Sequence, residues 1–519
     1  MDVAKLVLRI ATLSYPTQYL IALLAGLCLP LAFAPMHLIP FLFISPAILF
    51  LLWLDKTPRI AFRIGYAFGF GFFSFGISWA YIAIHVYGGT AAWLAIIMTG
   101  LFAAFLALFV AMPGWLAAII VRRFRLARIL QLTLLFPVLW FLFEWTRGWI
   151  FTGMPWLSLG YAISFPAFSG FAPILGVYGL SFFVILITGL IIVFFDSTVR
   201  VVRSSILIII SVIVVTSYGL TKIEWTQPDG KQFTVSLVQG NAEQITKWDA
   251  NKVQLRMDTY AKLSRQHWDS DAIVWPENAM TIFYHQLDKQ YLLPLAKEAK
   301  STDTDLIVGL PFMDQAYDRY YSSMMTFSAE DKDFNGYSGV FHKVHLVPFG
   351  EFIPFADFLR GLVNFFDLPM SSFSAGQPGQ ALLKIRGEPV ATSICYEDSF
   401  GDELIRQLPE ATLLMNGSNN AWYGDSLAPH QHLQIARMRA IETGRMLIRA
   451  TTNGISAFVD HKGQIVARAP QFEVYVLTHT VQPRTGATPY VKWGNTPIVM
   501  FNFILLLGLL IYSKYLKKT

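Results

Sequence analysis

A carboxylate, a lysine and a thiol each follow a short apolar run in the second half of the chain, and these residues are Glu277, Lys343 and Cys395. Together they form a complete set for nucleophilic catalysis: a general base, a cation that can stabilise an oxyanion, and a nucleophile. Taken singly, each has a simpler interpretation, as a turn residue, a solvated surface cation or a small buried side chain. Cys28, the only other cysteine, lies inside an apolar segment near the N-terminus.

Strands that alternate with helices must position these three groups. Residues 233–239 alternate apolar and polar side chains, which favours a strand, whereas 251–263 carries an apolar stripe at helical spacing. Further short apolar runs lie at 272–275, 306–310, 390–394 and 412–415, helical segments lie near 291–300, 402–408 and 429–443, and a hairpin signal follows at 456–466. This alternation predicts a layered α/β sandwich with reactive groups at the ends of its strands.

The rest of the chain has a different composition. The 519-residue sequence is 54% hydrophobic and only 14% charged, which is too apolar for a soluble protein. The apolar residues are concentrated before residue 221 and after residue 497. Because a bilayer span needs roughly 20 apolar residues, we predict eight spans, near 19–35, 38–54, 64–84, 91–120, 130–146, 174–195, 205–220 and 496–514. Pro113 lies inside the fourth, so a kinked or tilted helix is expected there.

Basic residues orient the predicted spans. Lysines and arginines cluster before the first span and after the second, fourth, sixth and eighth, whereas the alternate connections carry only Arg147, beside Glu144. Under the positive-inside rule, both termini are cytoplasmic and the globular domain lies on the opposite side of the membrane. We therefore predict seven transmembrane helices in 1–222, a globular domain on the non-cytoplasmic side in 223–486, and a last helix with a basic cytoplasmic tail in 487–519.

The first apolar segment has an alternative interpretation as a cleaved signal peptide, since Ala32-Phe-Ala34 resembles a cleavage site. Cleavage would leave seven spans and the same later topology. The two cysteines fall in different parts of the chain, one in a predicted span and one in the globular domain, so no structural disulfide is expected.

Three ordered motifs together are more specific than any one of them. Trp275-Pro-Glu277, then His342-Lys343 with Pro348-Phe-Gly-Glu351, then Cys395-Tyr-Glu397 resemble the Glu-Lys-Cys motifs of the nitrilase superfamily of carbon–nitrogen hydrolases. The whole chain, a polytopic helical membrane protein with an inserted nitrilase-like αββα sandwich, resembles the apolipoprotein N-acyltransferase family of Gram-negative bacteria. Phe349-Gly-Glu351-Phe-Ile-Pro354 and the segment 416–424 fit that family as well.

The resemblance implies a two-step acyl transfer at the bacterial inner membrane. A phospholipid, typically phosphatidylethanolamine, gives an acyl chain to Cys395 as a thioester, and the α-amine of the S-diacylglyceryl-cysteine of an apolipoprotein then accepts it. In this scheme Glu277 transfers protons, while Lys343 holds the oxyanion and favours the thiolate. By the family pattern Glu351 orients Lys343, and Tyr396 and Glu397 support the same network.

Other aromatic segments suit a lipid substrate. Residues 354–368 carry apolar side chains at helical spacing and predict either a lid that enters the bilayer or a helix packed on the domain. Trp248 and Trp422 are candidates for mobile lid aromatics or for buried anchors. His342 and His345 would point to opposite sides of a strand and chelate a metal poorly, so we expect no metal. We also expect no other cofactor and no nucleic-acid partner, and we expect the protein to be a monomer.

Two alternative functions share parts of this sequence pattern. A membrane-bound nitrilase-like amidase would use the same three residues with water as the acceptor, although eight spans exceed what a tether requires. A transporter would carry charged residues at mid-membrane, yet Glu144 and Arg147 lie near the end of a predicted span. The acyltransferase accounts for both the membrane segments and the catalytic residues.

Overall fold

The computed structural model describes residues 12–164, 166–246, 250–316, 318–331, 336–353 and 373–515. The chain divides into two compact units. Unit 1 comprises Met1–Glu224, Ser426–Gln434 and Lys492–Thr519, and unit 2 comprises Trp225–Asp425 and Ile435–Val491.

Unit 1 is helical. Its longer helices are α1 Tyr15–Cys28, α2 Pro40–Trp53, α3 Pro58–Gly76, α4 Ala92–Phe124, α5 Phe136–Arg147, α6 Ala172–Asp196, α7 Arg200–Leu220 and a C-terminal helix Thr496–Tyr515. In the described part of the chain, six helices are long and apolar enough to cross a membrane, and a seventh span results if α3 and the helical segment Trp79–Tyr87, bent by 52°, count as one. Since α2 has only 14 residues, the predicted count of eight spans is not confirmed, whereas a polytopic helical membrane region is.

Glycines allow the helices of unit 1 to pack closely. A Cβ atom on Gly26 of α1 would lie 2.0 Å from the carbonyl oxygen of Phe68 in α3, and one on Gly71 would lie 2.3 Å from the carbonyl oxygen of Leu23. Small residues at such positions let two backbones approach, as is common between membrane helices. The long helix α4 continues through Pro113, where the sequence predicted a single span with a kink or tilt.

The segment 426–434 is held within unit 1 by glutamine side chains. Gln431 accepts hydrogen bonds from the indole nitrogens of Trp79, at 3.2 Å, and Trp156, at 2.7 Å. Its own amide donates to the carbonyl oxygen of Gly76 at 3.2 Å, so the buried Gln431 side chain uses both its oxygen and its nitrogen. The backbone N–H of Ala34 donates to Gln434.

Unit 2 contains two six-stranded sheets. The strands are β1 Phe233–Gln239, β2 Ala272–Val274, β3 Asp305–Asp314, β4 Arg319–Phe327, β5 Gly339–His342, β6 Leu383–Ile385, β7 Glu388–Ile394, β8 Leu413–Ser418, β9 Leu447–Thr451, β10 Ala457–Val459, β11 Ile465–Arg468 and β12 Tyr475–Val481. The first sheet has the order β12-β1-β2-β3-β4-β5, and the second has the order β11-β10-β9-β8-β7-β6. The longer helices that start or lie in this part of the chain are α8 Ala250–Arg265, α9 Leu293–Ser301 and α10 Leu427–Thr443.

Alternating side chains bury both faces of the first sheet. Along β2, Ala272 and Val274 join a core that also contains Ile394 and Met415 of the second sheet, so the two sheets pack face to face. Ile273 points the other way, into a second core that includes side chains from α8 and α9. The predicted layered α/β sandwich is confirmed, and it places the ends of β2, β5 and β7 where the three reactive residues occur.

Candidate active site

Each of the three predicted catalytic residues follows the end of a strand. Glu277 comes after β2 and the buried Trp275, Lys343 directly follows β5, and Cys395 directly follows β7. Cys395 has a φ of 54°, in the left-handed region, and begins a short 3₁₀ turn that runs to Ser399. A non-glycine residue rarely adopts this conformation without support from its surroundings. The chain therefore turns sharply at the thiol.

Lys343 lies between two carboxylates. Its Nζ atom is 2.7 Å from Glu351 Oε1 and 3.3 Å from Glu277 Oε1, and its side chain is 1% exposed. Burial acts to lower the pKa of Lys343, but Glu277 and Glu351 outweigh it and raise the pKa well above the ordinary value. Burial and the neighbouring Glu277 raise the pKa of Glu351, which also accepts a hydrogen bond from the backbone of Val347. The two carboxylates therefore hold Lys343 in place and favour its charged form.

The surroundings of Cys395 favour the protonated thiol. Burial is the main cause that raises its pKa far above the ordinary value, and Glu277 and Glu351 add to it, whereas Lys343 acts in the opposite direction. Lys343 acts in the expected direction, since its charge lowers the pKa of the thiol. A thiol held in this form needs a base that removes its proton during attack.

Glu277 is a buried carboxylate with a fixed orientation. The backbone N–H of Asn419 donates to its Oε2 atom at 2.8 Å, and Ser322 Oγ lies 3.4 Å from its Oε1 atom. With Lys343 on the same Oε1 atom, the buried carboxylate is held in one orientation by three donors. Glu277 also lies within electrostatic range of Cys395, and its charge raises the pKa of the thiol.

Glu397 joins the ends of two strands. Its Oε1 atom accepts hydrogen bonds from the backbone N–H groups of Val344 and His345, at 2.6 and 2.9 Å, and its Oε2 atom accepts one from Ile394 at 2.7 Å. These bonds connect the residue after Lys343 with the residue before Cys395. Burial, opposed by these hydrogen bonds, raises the pKa of Glu397 to about 7.

The raised pKa of Glu397 predicts a pH dependence of stability. Its ordinary value is 4.5, so the folded protein binds this proton more readily than the unfolded chain does. The resulting stabilisation is complete below about pH 4.5 and is lost as the pH rises through about 7. We expect the Tm of the parent, relative to that of Glu397→Gln, to rise between about pH 8 and about pH 5. Thermal unfolding across this range measures the difference, and a constant difference contradicts the prediction.

The other predicted supporting residues have varied positions. Tyr396 is buried and packs on the rings of Phe400 and His345. Trp422 is half-buried on the 3₁₀ turn Asn420–Tyr423 that follows β8. Trp248 and the predicted lid segment lie outside the described residues, except that the segment's flanks at 353 and 373 are described.

The two histidines near Lys343 are engaged separately. His342 Nδ1 lies 2.7 Å from Ser323 Oγ, whereas His345 Nδ1 lies 3.1 Å from Glu403 Oε1. His345 also stacks on Phe400, with ring centroids 3.6 Å apart. Different partners thus hold the two rings, and His345 lies beyond the end of β5 rather than on the strand as predicted.

Sequence reasoning missed two residues at this site. The backbone of Asn419 holds Glu277, and its side-chain amide donates to Gln244 at 3.0 Å. The phenol of Tyr423 lies close enough to Cys395, Lys343 and Glu277 to interact electrostatically with them, and burial is the main cause that raises its pKa. The sequence signal for these residues is the polar run 416–420, which follows the apolar run 412–415. The three reactive residues also follow apolar runs.

Two packed six-stranded sheets with a buried Glu-Lys-Cys set at their strand ends define a nitrilase-like α/β domain. Residues 234–490 match the family model described as carbon-nitrogen hydrolase, and residues 25–190 match the one described as apolipoprotein N-acyltransferase N-terminal domain. This chain belongs to the apolipoprotein N-acyltransferase family, which confirms the family predicted from the motifs.

Full-length relatives support this membership. A Methylococcus capsulatus protein named apolipoprotein N-acyltransferase is 41% identical, over 92% of this chain and 93% of its own length. A Nitrosomonas europaea protein of the same name is 40% identical, also over 92% and 93%. A solved carbon-nitrogen hydrolase from Helicobacter pylori G27 covers 48% of this chain and 89% of its own, at 18% identity and a TM-score of 0.37. The two relatives extend along both units, so the match includes the membrane helices as well as the catalytic fold.

Proposed function

We propose that this protein transfers an acyl chain from a phospholipid to the α-amine of the diacylglyceryl-cysteine of an apolipoprotein, through a thioester on Cys395. The main support is the buried arrangement in which Lys343 contacts both Glu277 and Glu351, within electrostatic range of the thiol. The family membership and the names of the full-length relatives support the same reaction.

The first half of the reaction forms the thioester. Glu277 takes the proton of the Cys395 thiol as the sulfur attacks the ester carbonyl of the phospholipid. The carbonyl oxygen becomes an oxyanion, which the ammonium of Lys343 stabilises while Glu351 keeps that ammonium in place. When the intermediate collapses, the carbon–oxygen bond of the ester breaks, and the lysophospholipid oxygen leaves with the proton that Glu277 had taken.

The second half passes the acyl chain to an amine. Glu277 removes a proton from the α-ammonium of the acceptor, and the free amine attacks the thioester carbonyl. A second oxyanion forms against Lys343 and collapses with cleavage of the carbon–sulfur bond. Glu277, having passed the first proton to solvent, takes the second proton of the nitrogen and gives it to the departing sulfur. The raised pKa of Cys395 favours this last protonation and returns the site to its starting form.

An assay with defined lipids tests this function. The purified protein is incubated with phosphatidylethanolamine, with and without a synthetic diacylglyceryl-cysteine peptide, and both protein and peptide are weighed by mass spectrometry. We expect one hydroxylamine-sensitive acyl group on the protein without acceptor, and an N-acylated peptide with it. Release of free fatty acid in place of peptide acylation would show that water is the acceptor, as in the hydrolytic alternative. Phospholipids with other headgroups show whether ethanolamine is the preferred donor headgroup.

We further propose that the catalytic unit lies on the periplasmic side of the inner membrane and acts as a monomer. The basic clusters lie before the first predicted span, in every second connection after it, and in the C-terminal tail. This pattern supports cytoplasmic termini. Exported lipoproteins present their modified cysteine on the opposite face. The oligomeric state is measured by light scattering of the detergent-solubilised protein, and a dimer mass contradicts the monomer.

Cysteine labelling tests the orientation. Lys262 is exposed on α8 and Arg122 is exposed near the end of α4. In cells with a permeabilised outer membrane, a membrane-impermeant maleimide should label Lys262→Cys. Arg122→Cys should react only after the inner membrane is lysed, and Cys28→Ala together with Cys395→Ala in both variants removes background labelling. The reverse pattern contradicts the orientation and the lipoprotein substrate together.

A further inference from the structure

A row of polar side chains crosses the second sheet behind Cys395. Ser393 of β7 is paired with Asn416 of β8, and Asn416 is paired with Arg449 of β9. Their neighbours Ile394, Met415 and Ile448 belong to the core between the two sheets. Because side chains alternate along a strand, the polar row lies on the face of this sheet that points away from that core.

Hydrogen bonds extend from this row to the backbone of the thiol residue. The amide nitrogen of Asn416 donates to the carbonyl oxygen of Cys395 at 3.2 Å and to Ser393 Oγ at 2.9 Å. On its other side, the amide oxygen of Asn416 accepts hydrogen bonds from Arg449 Nη1 and from Ser418 Oγ. Arg449 therefore fixes the orientation of the amide group that contacts Cys395.

Arg449 also holds the turn on the far side of Cys395. Its Nη1 atom donates to Asp398 Oδ2 at 2.9 Å, with side chains only 1% and 2% exposed, and its Nη2 atom lies 3.4 Å from Asn420 Oδ1. Asp398 belongs to the 3₁₀ turn that begins at Cys395. The positive and negative charges balance, so this pair places little net charge near the thiol, and its main effect is geometric.

The backbone of Cys395 needs such support. A cysteine with a φ of 54° is in a conformation that side chains with a Cβ atom disfavour. Such backbone persists when surrounding contacts determine it more strongly than the local preference does. The bond from Asn416 to the Cys395 carbonyl and the ion pair at Asp398 fix the residue from two directions, and both depend on one guanidinium.

We propose that Arg449 is a positioning residue for acyl transfer, which through Asn416 and Asp398 keeps the Cys395 thiol aimed at the acyl carbonyl. The inference rests on Cys395 as the nucleophile of the proposed function. Arginine suits the role because Nη1 binds Asn416 and Asp398 while Nη2 of the same planar fork approaches Asn420 Oδ1, whereas lysine offers a single ammonium. A shift of about 1 Å at a reacting atom can cost about 10²-fold in rate.

A double variant separates position from buried charge. Arg449→Met alone would leave Asp398 unpaired and buried, which can prevent folding, so it is combined with Asp398→Leu in a Cys28→Ala background. The conservative variant Arg449→Lys keeps the ion pair and loses the fork. The control is Arg445→Met, since Arg445 is equally buried but donates to the backbone carbonyls of Ala411 and Gly486.

Two rates are measured for each folded variant: acyl-enzyme formation from phosphatidylethanolamine under single-turnover conditions, and alkylation of Cys395 by iodoacetamide. We expect the double variant to form acyl-enzyme about 10–100-fold more slowly, with KM for the phospholipid within about twofold and with a changed alkylation rate. Arg449→Lys should fall in between. Arg445→Met should lower the Tm yet keep the parental rate per folded molecule.

Several results would overturn the proposal. One is a double variant whose folded molecules react at parental rates with both reagents. Another is an equal loss of acyl-enzyme formation in the double variant and in Arg445→Met that matches the fraction of unfolded protein. That result would show that Arg449 contributes only to stability. If the parent forms no acyl adduct, the proposed nucleophile fails instead, and the alkylation rates still show whether Arg449 controls the presentation of the thiol.

Discussion

Cys395→Ala is expected to abolish both the acyl-enzyme and the acylated peptide, whereas Cys28→Ala should leave both at parental levels. The two residues are the only cysteines of the chain. Cys28 ends α1 in unit 1, while Cys395 is buried at the end of β7 in unit 2, within electrostatic range of Glu277, Lys343 and Glu351. Without the sulfur no thioester can form, and the loss should reach the detection limit of the mass assay. The Tm should change little, because alanine fills most of the same small space.

The pair of variants also tests the intermediate. Hydroxylamine should release the acyl group from the parent and from Cys28→Ala, since it cleaves thioesters. Digestion of the acylated protein should place the group on the peptide that contains Cys395. A persistent acyl group in Cys395→Ala, or acyl transfer at the parental rate in that variant, contradicts the assignment of the nucleophile.

The positions of the three reactive residues could be predicted because each is marked by a pattern in a short stretch of sequence. An apolar run that stops at Pro276, His342 or Ile394 predicts a buried strand with a polar end, and reactive groups in α/β folds lie at the ends of strands. The structure has strands ending close to all three places, at Val274, His342 and Ile394. Local alternation therefore located the candidate site, although it assigned no distances.

The support for these residues could not be predicted because it depends on register. Asn416 meets Arg449 only because β8 and β9 pair with a particular alignment, and no local pattern in either strand specifies it. The left-handed backbone conformation of Cys395 could not be predicted either, because a glycine is the usual sequence signal for it and position 395 has none. The raised pKa of the Cys395 thiol depends mainly on its burial. The spacing of the motifs along the sequence does not show how deeply the site is buried.

In the membrane region, too, the helices could be predicted from short stretches of sequence, whereas the contacts between distant residues could not. Apolar length predicted the helices, and the fourth predicted span appears as α4. The sequence treated 64–84 as one span, whereas α3 ends at Gly76 and the following helix is bent from it by 52°. Nor does apolarity reveal that 426–434 is held by Gln431 among the tryptophans of unit 1, since those contacts join residues far apart in the chain.

Glu277→Gln is expected to slow acyl-enzyme formation by about 10²–10⁴-fold while keeping the fold. Glutamine has the shape of glutamate, so it can still accept a hydrogen bond from Asn419, and Lys343 keeps its closer partner Glu351 at 2.7 Å. The Tm should stay near the parental value. The amide cannot take a proton, however, and the raised pKa of Cys395 leaves almost no thiolate to react without a base.

Lys343→Met should show a similar loss of rate by a different route. The oxyanion loses its cation, which typically costs about 10²–10³ in rate. Glu277 and Glu351 are then left facing each other in a buried site, so one of them must bind a proton and the Tm should fall further than in Glu277→Gln. The Tm difference between the two variants thus separates the base from the cation.

The matched control for both variants is Glu298→Gln. Glu298 is an exposed residue in unit 2 that pairs with Arg265 at 2.7 Å, so its loss should leave the rate unchanged and the Tm nearly so. Rates are measured as acyl-enzyme formed per folded molecule, over a series of pH values. Parental rates in Glu277→Gln contradict its role as the base. If instead its activity recovers in proportion to folded protein on cooling, the carboxylate serves stability rather than proton transfer.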